Sequence, residues 1–399
     1  MAKTLITDSS EGTTTPFLRG ILTRSLTDAG MPFQKAYQLA TDIRQQISSK
    51  SNLSTRELRS LVLAELQKHK EQAVIDVYRT NLPASTIRVR AQNGEVSPFL
   101  RNEHRRSLTS IGLSSEQASA VTQSLYMKLV EAQQVEVDSN RIGRLTYETL
   151  RHQFDKDTAR RYLVWIDYKR SNRPLILLLG GTTGCGKSTI ATEIAHRLGI
   201  IRTQSTDMLR EVMRMLIPER LLPALHTSSF NAWRKMPSFR EVKEVTEELM
   251  INGYLHQSEL VSVPCEAVVQ RALSERVSLI LEGVHVNPAL IERFKRTQKG
   301  DAVIVPIMLA VLKQDRLKAH LTGRGMAAPE RNAQSKYLSN FDCIWVLQSH
   351  LLSEADSSAM HIIENDDKER TTDRVMHSII EVLQKNFSAK VDDVFGPSN

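Results

Sequence analysis

The sequence predicts an α/β domain, in which a parallel sheet is flanked by helices, preceded by two mainly helical modules. Three observations lead to this prediction. An apolar run, "LILLL", ends in a glycine-rich loop that an amphipathic stretch follows, which is the order strand, loop, helix. Beyond it, further short apolar runs alternate with helical patterns, as expected for a parallel sheet. In front of it, one segment occurs twice.

Composition is that of a soluble globular protein. The chain has 399 residues, enough for more than one domain, with 41% hydrophobic and 25% charged residues. Cys185, Cys265 and Cys343 lie far apart without a C-x-x-C pair, which argues against a zinc site or a disulfide framework. The N-terminus resembles no signal or transit peptide, and no apolar run approaches the roughly 18 residues of a membrane span. We therefore expect a cytoplasmic protein without a membrane partner.

The net charge of +8 lies entirely in the first part of the chain. Before Pro174 there are 26 Lys and Arg against 18 Asp and Glu, and from Pro174 onward 27 against 27. The two signs are mixed and aromatic residues make up only 5%, whereas nucleic acid favours a clustered basic patch with aromatics. We expect nucleotide phosphates, and not nucleic acid, as the acidic partner.

The repeated segment predicts two similar modules. "TPFLRGILTRSLTDAG" (Thr15–Gly30) returns 82 residues later as "SPFLRNEHRRSLTSIG" (Ser97–Gly112), and each copy continues into amphipathic helical sequence. Before the second copy, "IRVRAQNGEVSPF" alternates and contains Asn93-Gly94, a strong hairpin signal, whereas the strand pattern before the first copy is weaker. Each module should be a short hairpin followed by a small helical bundle.

A hairpin and a bundle in tandem resemble the ATP-cone, a nucleotide-sensing regulatory module. The resemblance covers about residues 1–80 and 84–165, and we place the module boundaries at 1–82 and 83–168. ATP-cone modules often associate with one another, so a homo-oligomer is an accompanying expectation.

The resemblance to ATP-cones implies basic residues on the hairpin that contact nucleotide phosphates. The second copy has Arg88 and Arg90 there, whereas the first has Ile6 and Asp8 at the matching positions. If either module binds a regulatory nucleotide, we expect the second to do so. The alternative is that both are helical packing modules without a ligand.

The glycine-rich loop matches G-x-x-x-x-G-K-[ST] in full and lies between the strand "RPLILLLG" and the helix "STIATEIAHRLG". Its glycines let backbone N–H groups surround phosphate oxygens at a helix N-terminus. Lys187 directs a charge toward the β and γ phosphates, the Ser188 hydroxyl reaches Mg²⁺, and Thr189 donates to the α phosphate. We expect this P-loop to bind ATP through Gly181, Thr182, Thr183, Gly184, Cys185, Gly186, Lys187, Ser188 and Thr189. Cys185 is interpreted as a small filler residue.

The sequence after the P-loop has the layout of a small-molecule kinase. It contains neither the guanine-reading N-K-x-D motif nor a motor-like extension. A strand ends at Ser205-Thr206-Asp207, where a carboxylate can take the proton of an attacking hydroxyl. The alternative for Asp207 is a helix N-cap. Arg210 and Arg214 share a helix face that can point at an anionic acceptor.

A second buried strand, in "RVSLILEGVHVNP", ends at Glu282. A charged residue that finishes an apolar strand is seldom there for packing, because burying it without a partner is costly. The position is that of a Walker-B strand, which places Glu282 beside Mg²⁺ and the P-loop. His285 follows closely and is a candidate to face the acceptor, the alternative being a structural role, which is more common for a lone histidine.

Later segments complete the predicted domain, which we place at residues 169–390. "QDRLKAHLTGRGMAAPER" is rich in arginine and lies where a helical lid of P-loop kinases closes over the phosphates. Arg324 and Arg331 are the candidates for contact with the transferring group, beside Arg316. "AMHIIEND" predicts a last strand, and we expect a frayed tail at 391–399.

Five stretches together resemble the 2-phosphoglycerate kinase family: "GGTTGCGKSTIATEIAHRLG", "STDMLREVMR", "LHTSSFNAW", "VQRALSERVSLILEGVHVNP" and "KYLSNFDCIWVLQSHLL". The likeness covers about residues 172–385, and that family also has an N-terminal ATP-cone. It implies ATP, Mg²⁺ and transfer to the 3-hydroxyl of 2-phosphoglycerate, which gives 2,3-bisphosphoglycerate. Two modules in place of one is a departure from the family pattern.

The resemblance implies roles for matching residues of this chain. The segment Gly181–Thr189 holds ATP, Asp207 lies at the acceptor, Glu282 lies near the metal, and Arg324 and Arg331 belong to the lid. Two alternatives remain open. One is a kinase for another small anionic alcohol, such as a mevalonate phosphate or an inositol phosphate. The other is a non-catalytic ATP-sensing regulatory protein.

Overall fold

The computed structural model describes most of the chain, namely residues 4–8, 13–48, 50–69, 71–72, 74–75, 87–132, 135–237, 244–297, 302–327, 333–358, 360–388 and 390–397. The chain divides into two compact units. The first unit comprises Met1–Thr109, Leu113–Arg160 and Lys390–Asn399, and the second comprises Ser110–Gly112 and Arg161–Ala389.

The first unit repeats one small sheet. Within the described residues each copy has three strands, and the middle strand pairs antiparallel with its hairpin partner and parallel with a strand whose residues lie 47 or 48 positions further along. The hairpin predicted at Asn93-Gly94 is present, with Gly94 at φ 85°. The strands are β1 (Leu5–Asp8), β2 (Thr13–Pro16), β3 (Asn52–Ser54), β4 (Arg88–Arg90), β5 (Val96–Pro98) and β6 (Glu136–Asp138).

The helices of the two copies pack around a common interior. The amphipathic helices of both copies contribute to one hydrophobic cluster, in which Leu26, Ile43 and Leu125 have no exposed surface. Burial of this apolar area stabilises the two copies as one body. The helices up to the central sheet are α1 (Arg19–Asp28), α2 (Phe33–Ile47), α3 (Thr55–Lys68), α4 (Arg101–Thr109), α5 (Ser115–Glu131), α6 (Ser139–Gln153) and α7 (Lys156–Ser171).

The end of the chain corrects one expectation. In place of a frayed tail, Val391–Phe395 forms a short helix in the first unit, with Val394 and Phe395 buried. The Phe395 ring occupies the space beside Gly143 of α6, where a Cβ would lie 2.2 Å from the ring. The two apolar side chains explain the difference, because their burial offsets the ordering of the tail.

The second unit is the predicted α/β fold. Among the described residues, five strands form a parallel sheet in the order β11-β10-β7-β9-β8, with helices in the connections. In such a sheet, ligands bind at the carboxyl ends of the strands. The strands are β7 (Leu175–Gly180), β8 (Arg202–Ser205), β9 (Leu279–Glu282), β10 (Val303–Ala310) and β11 (His361–Glu364).

Helices surround this sheet on both sides, and β7 is buried along its whole length. In the part of the chain that is described, no helix combines the length and the apolar character that a membrane crossing requires. The helices of the second unit are α8 (Lys187–Leu198), α9 (Thr206–Leu216), α10 (Glu247–Ser274), α11 (Pro288–Thr297), α12 (Gln314–Ala327), α13 (Ala333–Leu338), α14 (Phe341–Ser357) and α15 (Lys368–Gln384), with 3₁₀ turns at Pro223–His226 and Ser229–Lys235. The short helix of the first unit at the end of the chain is α16 (Val391–Phe395).

A buried histidine lies between the helices of the second repeat. His104 Nδ1 lies 2.9 Å from Thr122 Oγ1, and Nε2 lies 3.0 Å from Thr146 Oγ1. Burial lowers the pKa of His104 to about 4, because the apolar surroundings disfavour the charged ring. The neutral imidazole is therefore part of the folded state.

We expect the free energy of unfolding to decrease as the pH falls from about 6.5 to about 4, because the unfolded chain binds a proton that folded His104 does not. Above that range both states are neutral, and the full loss is on the order of 3 kcal/mol. His104→Gln should reduce this pH dependence in urea unfolding followed by circular dichroism. The exposed His152→Gln is the control, and an equal pH dependence in His104→Gln and the parent chain would contradict the prediction.

Candidate active site

The P-loop connects the end of β7 to the start of α8. Gly184 and Gly186 have φ angles of 88° and 84°, a backbone conformation that glycine adopts without strain. A Cβ at Gly184 would lie 2.7 Å from Leu321 of α12, and one at Gly186 would lie 2.2 Å from the Asn365 amide nitrogen. Glycine is therefore required at both positions by conformation and by space.

The lysine and the hydroxyl of the motif lie on the first turn of α8. Lys187 is buried, and its Nζ donates to the Thr182 carbonyl oxygen at 2.7 Å. Ser188 Oγ donates to Glu282 Oε1 at 3.0 Å. Thr189 is exposed on the same turn. The loop and the end of β9 thus meet, as the strand pattern predicted.

Cys185 fills the inside of the loop. Its side chain has no exposed surface, and burial raises the pKa of its thiol above the usual value, while the nearby Lys187 ammonium opposes this change. A reactive cysteine needs a lowered pKa and some exposure. The interpretation as a small filler residue therefore agrees with the structure.

Three side chains that sequence analysis did not single out hold the P-loop from other elements. Asn365, after β11, donates from Nδ2 to the Cys185 carbonyl oxygen at 2.9 Å. His320 of α12 contacts the Gly184 carbonyl oxygen through Nδ1 at 3.1 Å. Gln348 of α14 is buried and accepts from Thr182 Oγ1 at 3.5 Å. Each lies more than 130 residues from the loop, so no local sequence pattern reveals it.

Asp207 lies at the carboxyl end of the neighbouring strand. Ser205, the last residue of β8, is in register with Glu282 of β9, and Asp207 is in the first turn of α9 with half of its side chain exposed. The N-cap position of α9 is Ser205, so the alternative role of Asp207 as the cap does not apply. Its carboxylate is available to solvent at the edge of the sheet where β9 ends at Glu282.

Arg210 and Arg214 share a face of α9 and both pair with Glu211, but they differ in burial and in their other partners. Arg210 is mostly buried, and its Nη1 donates to the carbonyl oxygens of Leu225 at 2.9 Å and Thr227 at 2.7 Å. Arg214 is more exposed and pairs with Glu211 at 2.6 Å. Arg210 therefore ties α9 to the turn at 225–227, and contact of either arginine with an acceptor stays a prediction.

The structure argues against a direct contact between His285 and an acceptor. The ring is 1% exposed, with Nδ1 3.0 Å from Thr206 Oγ1 and Nε2 3.0 Å from Gln257 Oε1. Burial lowers its pKa to about 4. Since both ring nitrogens have protein partners, His285 is a neutral residue beneath the strand ends. Proximity in sequence to Glu282 suggested a surface role that the buried position excludes.

The remaining candidates are two arginines of the predicted lid and two arginines of the second repeat. Arg331 lies outside the described residues, and so does the side chain of Arg324, whose backbone belongs to α12. On the second repeat, Arg90 donates from Nε to Glu136 at 2.7 Å, and this hydrogen bond raises the pKa of Arg90 above its usual value. Arg88 lies two residues before it on β4. Contact of this pair with a regulatory nucleotide stays a prediction.

Comparison with known proteins finds similarity in both parts of the chain. Residues 87–171 match the family described as ATP cone domain. The chain is 34% identical over 296 residues to a 2-phosphoglycerate kinase of Pyrococcus horikoshii, which is 74% of this chain and 94% of that protein. It is 37% identical over 297 residues to that of Pyrococcus furiosus, again 74% and 94%. It is 33% identical over 299 residues to that of Methanopyrus kandleri, 75% and 88%.

Asn365 offers a test of the P-loop support. We expect Asn365→Ala to weaken ATP binding by about tenfold, because one hydrogen bond that holds the loop backbone is lost while the fold remains. Isothermal titration with ATP measures the change. Asn386→Ala removes a comparable side-chain bond to a helix carbonyl and serves as the control. Equal ATP affinity in all three proteins would show that Asn365 does not support the loop.

Proposed function

The chain belongs to the 2-phosphoglycerate kinase family, and we propose that it transfers the terminal phosphoryl group of ATP to the free hydroxyl of 2-phosphoglycerate, which gives 2,3-bisphosphoglycerate. One observation supports this most strongly. Curated relatives of that name align over nearly their whole length at 33–37% identity, and the chain has the P-loop in contact with Glu282 that such a transfer requires.

Phosphate binding falls to the P-loop and Lys187. Backbone N–H groups at the start of α8 surround the phosphate oxygens, and the helix dipole favours their negative charge. Lys187, on the first turn of that helix, places its ammonium toward the β and γ phosphates. Because Lys187 is buried, this charge acts in a medium of lower dielectric constant than water and is more effective than at an exposed surface.

The residues where α8 begins and β9 ends fit a magnesium ion. The Ser188 hydroxyl and the Glu282 carboxylate, 3.0 Å apart, are hard oxygen donors of the type that Mg²⁺ takes. When bound, the ion neutralises charge that develops on the phosphates. Ser188 and Glu282 would hold it, with Glu282 anchored by its place at the end of a buried strand.

Asp207 positions the acceptor. Its half-exposed carboxylate accepts the proton of the attacking hydroxyl. The hydroxyl oxygen forms a bond to the γ phosphorus as the bond from that phosphorus to the bridging oxygen breaks, and ADP leaves. The protein contributes position and charge and forms no covalent intermediate.

The function is tested by acceptor-stimulated release of ADP from ATP and Mg²⁺. We expect stimulation by 2-phosphoglycerate, and none by 3-phosphoglycerate, glycerate, mevalonate phosphates or inositol phosphates. Lys187→Met, which keeps the length of the side chain, should lose this activity by at least about a hundredfold and stay folded, because the charge on the transferring group is no longer stabilised. Stimulation by a different acceptor would overturn the proposal that 2-phosphoglycerate is the substrate. ATP binding without turnover on any acceptor would overturn the proposal that the protein is a kinase.

Asp207 has its own test. We expect Asp207→Asn to bind ATP normally and to lose transfer by about a hundredfold or more, since the amide cannot accept the proton. ATP affinity from titration and turnover from ADP release separate the two effects. Asp315→Asn, in the exposed first turn of α12, is the control. Full turnover in Asp207→Asn would show that this carboxylate takes no part in the transfer.

A further inference from the structure

A buried chain of polar side chains lies directly beneath the strand ends. Its centre is His285, on the turn that follows Glu282, with Thr206 of α9 on one side and Gln257 of α10 on the other. Thr206 and Gln257 have no exposed surface, and His285 is 1% exposed. Burial of three polar groups is costly unless each is hydrogen-bonded, so their arrangement is tightly constrained.

The partners of Gln257 determine the direction of every bond in this chain. Gln257 Nε2 donates to the carbonyl oxygens of Ala224 and, at 3.1 Å, Thr227. Because only an amide nitrogen can face two carbonyl oxygens, Gln257 Oε1 faces His285. His285 therefore carries its proton on Nε2 and donates it to Gln257, while Nδ1 accepts from the Thr206 hydroxyl.

The chain closes into a ring through Arg210. The Thr227 carbonyl oxygen that accepts from Gln257 also accepts from Arg210 Nη1 at 2.7 Å. Arg210 lies one helical turn after Thr206 on α9. Helix α9 is therefore held at two successive turns, once by the imidazole and once by the 224–227 turn. We call Thr206, His285, Gln257 and Arg210 the buried ring.

Besides the pairing of Ser205 with Glu282 and the approach of Arg210 Nε to Asp207 Oδ1 at 4.0 Å, the start of α9 lacks a side-chain cap. The N-cap Ser205 makes no side-chain capping bond, which leaves the first-turn N–H groups without the usual local support. Gly283 lets the helix approach closely, since a Cβ there would lie 1.8 Å from Thr206 Oγ1. Next in sequence to Thr206 is Asp207, so whatever holds the Thr206 hydroxyl also sets the position of that carboxylate.

We propose that His285 and Thr206 are positioning residues, which act through the buried ring to place Asp207 against the end of the strand that carries Glu282. The effect on catalysis rests on the proposed function. The geometry of the buried ring is independent of that proposal. A displacement of about 1 Å in a reacting group lowers a rate by as much as a hundredfold. The ring does not include the P-loop, so its loss affects transfer and not the affinity for ATP.

The test replaces the hydroxyl and keeps the shape of the side chain. Thr206→Val should lower kcat for acceptor-dependent transfer by about tenfold or more, with KM for ATP changed by less than about twofold. Thr206→Ser, which retains the hydroxyl, should restore most of the rate. The matched control is Thr146→Val in the first unit, which removes the equally buried hydroxyl bonded to His104. It should lower the melting temperature in a similar way and leave kcat unchanged.

Two results would overturn the proposal: an equal kcat in Thr206→Val and Thr146→Val, or a Thr206→Ser variant as impaired as Thr206→Val. Failure of the proposed function is separate, because it shows in the parent chain as absence of acceptor-dependent ADP release. In that case amide hydrogen exchange of residues 206–212 tests whether the buried ring holds α9. Faster exchange in Thr206→Val than in Thr146→Val would support the ring as the device that holds α9, and equal exchange would refute it.

Discussion

The pairing of β9 with β7 on one side and β8 on the other is the constraint on which the active site depends. Its register places Glu282 opposite Leu179, just before the P-loop, and opposite Ser205, just before α9. Because parallel strands end at the same edge, this one register brings the phosphate-binding loop, the carboxylate and the start of α9 together. A slip by one residue would turn Glu282 to the other face of the sheet.

At this edge of the sheet, two buried charged side chains have neutral polar hydrogen-bond partners. Lys187 and Glu282 are both buried, and each has a protein hydrogen-bond partner, Thr182 and Ser188 respectively. His285 beneath them stays neutral, since burial lowers its pKa to about 4. A protonated imidazole there would add a second positive charge close to Lys187 in a medium of low dielectric constant. The neutral imidazole orients its hydrogen-bond partners without altering the charge of the site.

The sequence predicted those parts of the site that are contiguous or that end a strand. The P-loop was recognisable because its residues are adjacent, and Glu282 because a carboxylate seldom finishes an apolar strand. The α/β fold was also predicted correctly, because its strands are short apolar runs that alternate with helical patterns along the sequence. The expectation that His285 faces the acceptor was wrong, because its partner Gln257 is 28 residues away on α10 and gave no local signal. Asn365, 180 residues from Cys185, gave no local signal at all.

The two repeats form one body, and the end of the chain packs against that body. They share one hydrophobic cluster, and the chain returns to them after α15, so that Val394 and Phe395 are buried against α6. About a quarter of the chain lies outside its alignment with the archaeal relatives. Removal of the repeats would expose both apolar side chains at the end of the chain. Any variant without the repeats must therefore also end before Val391, or it gains an exposed apolar segment.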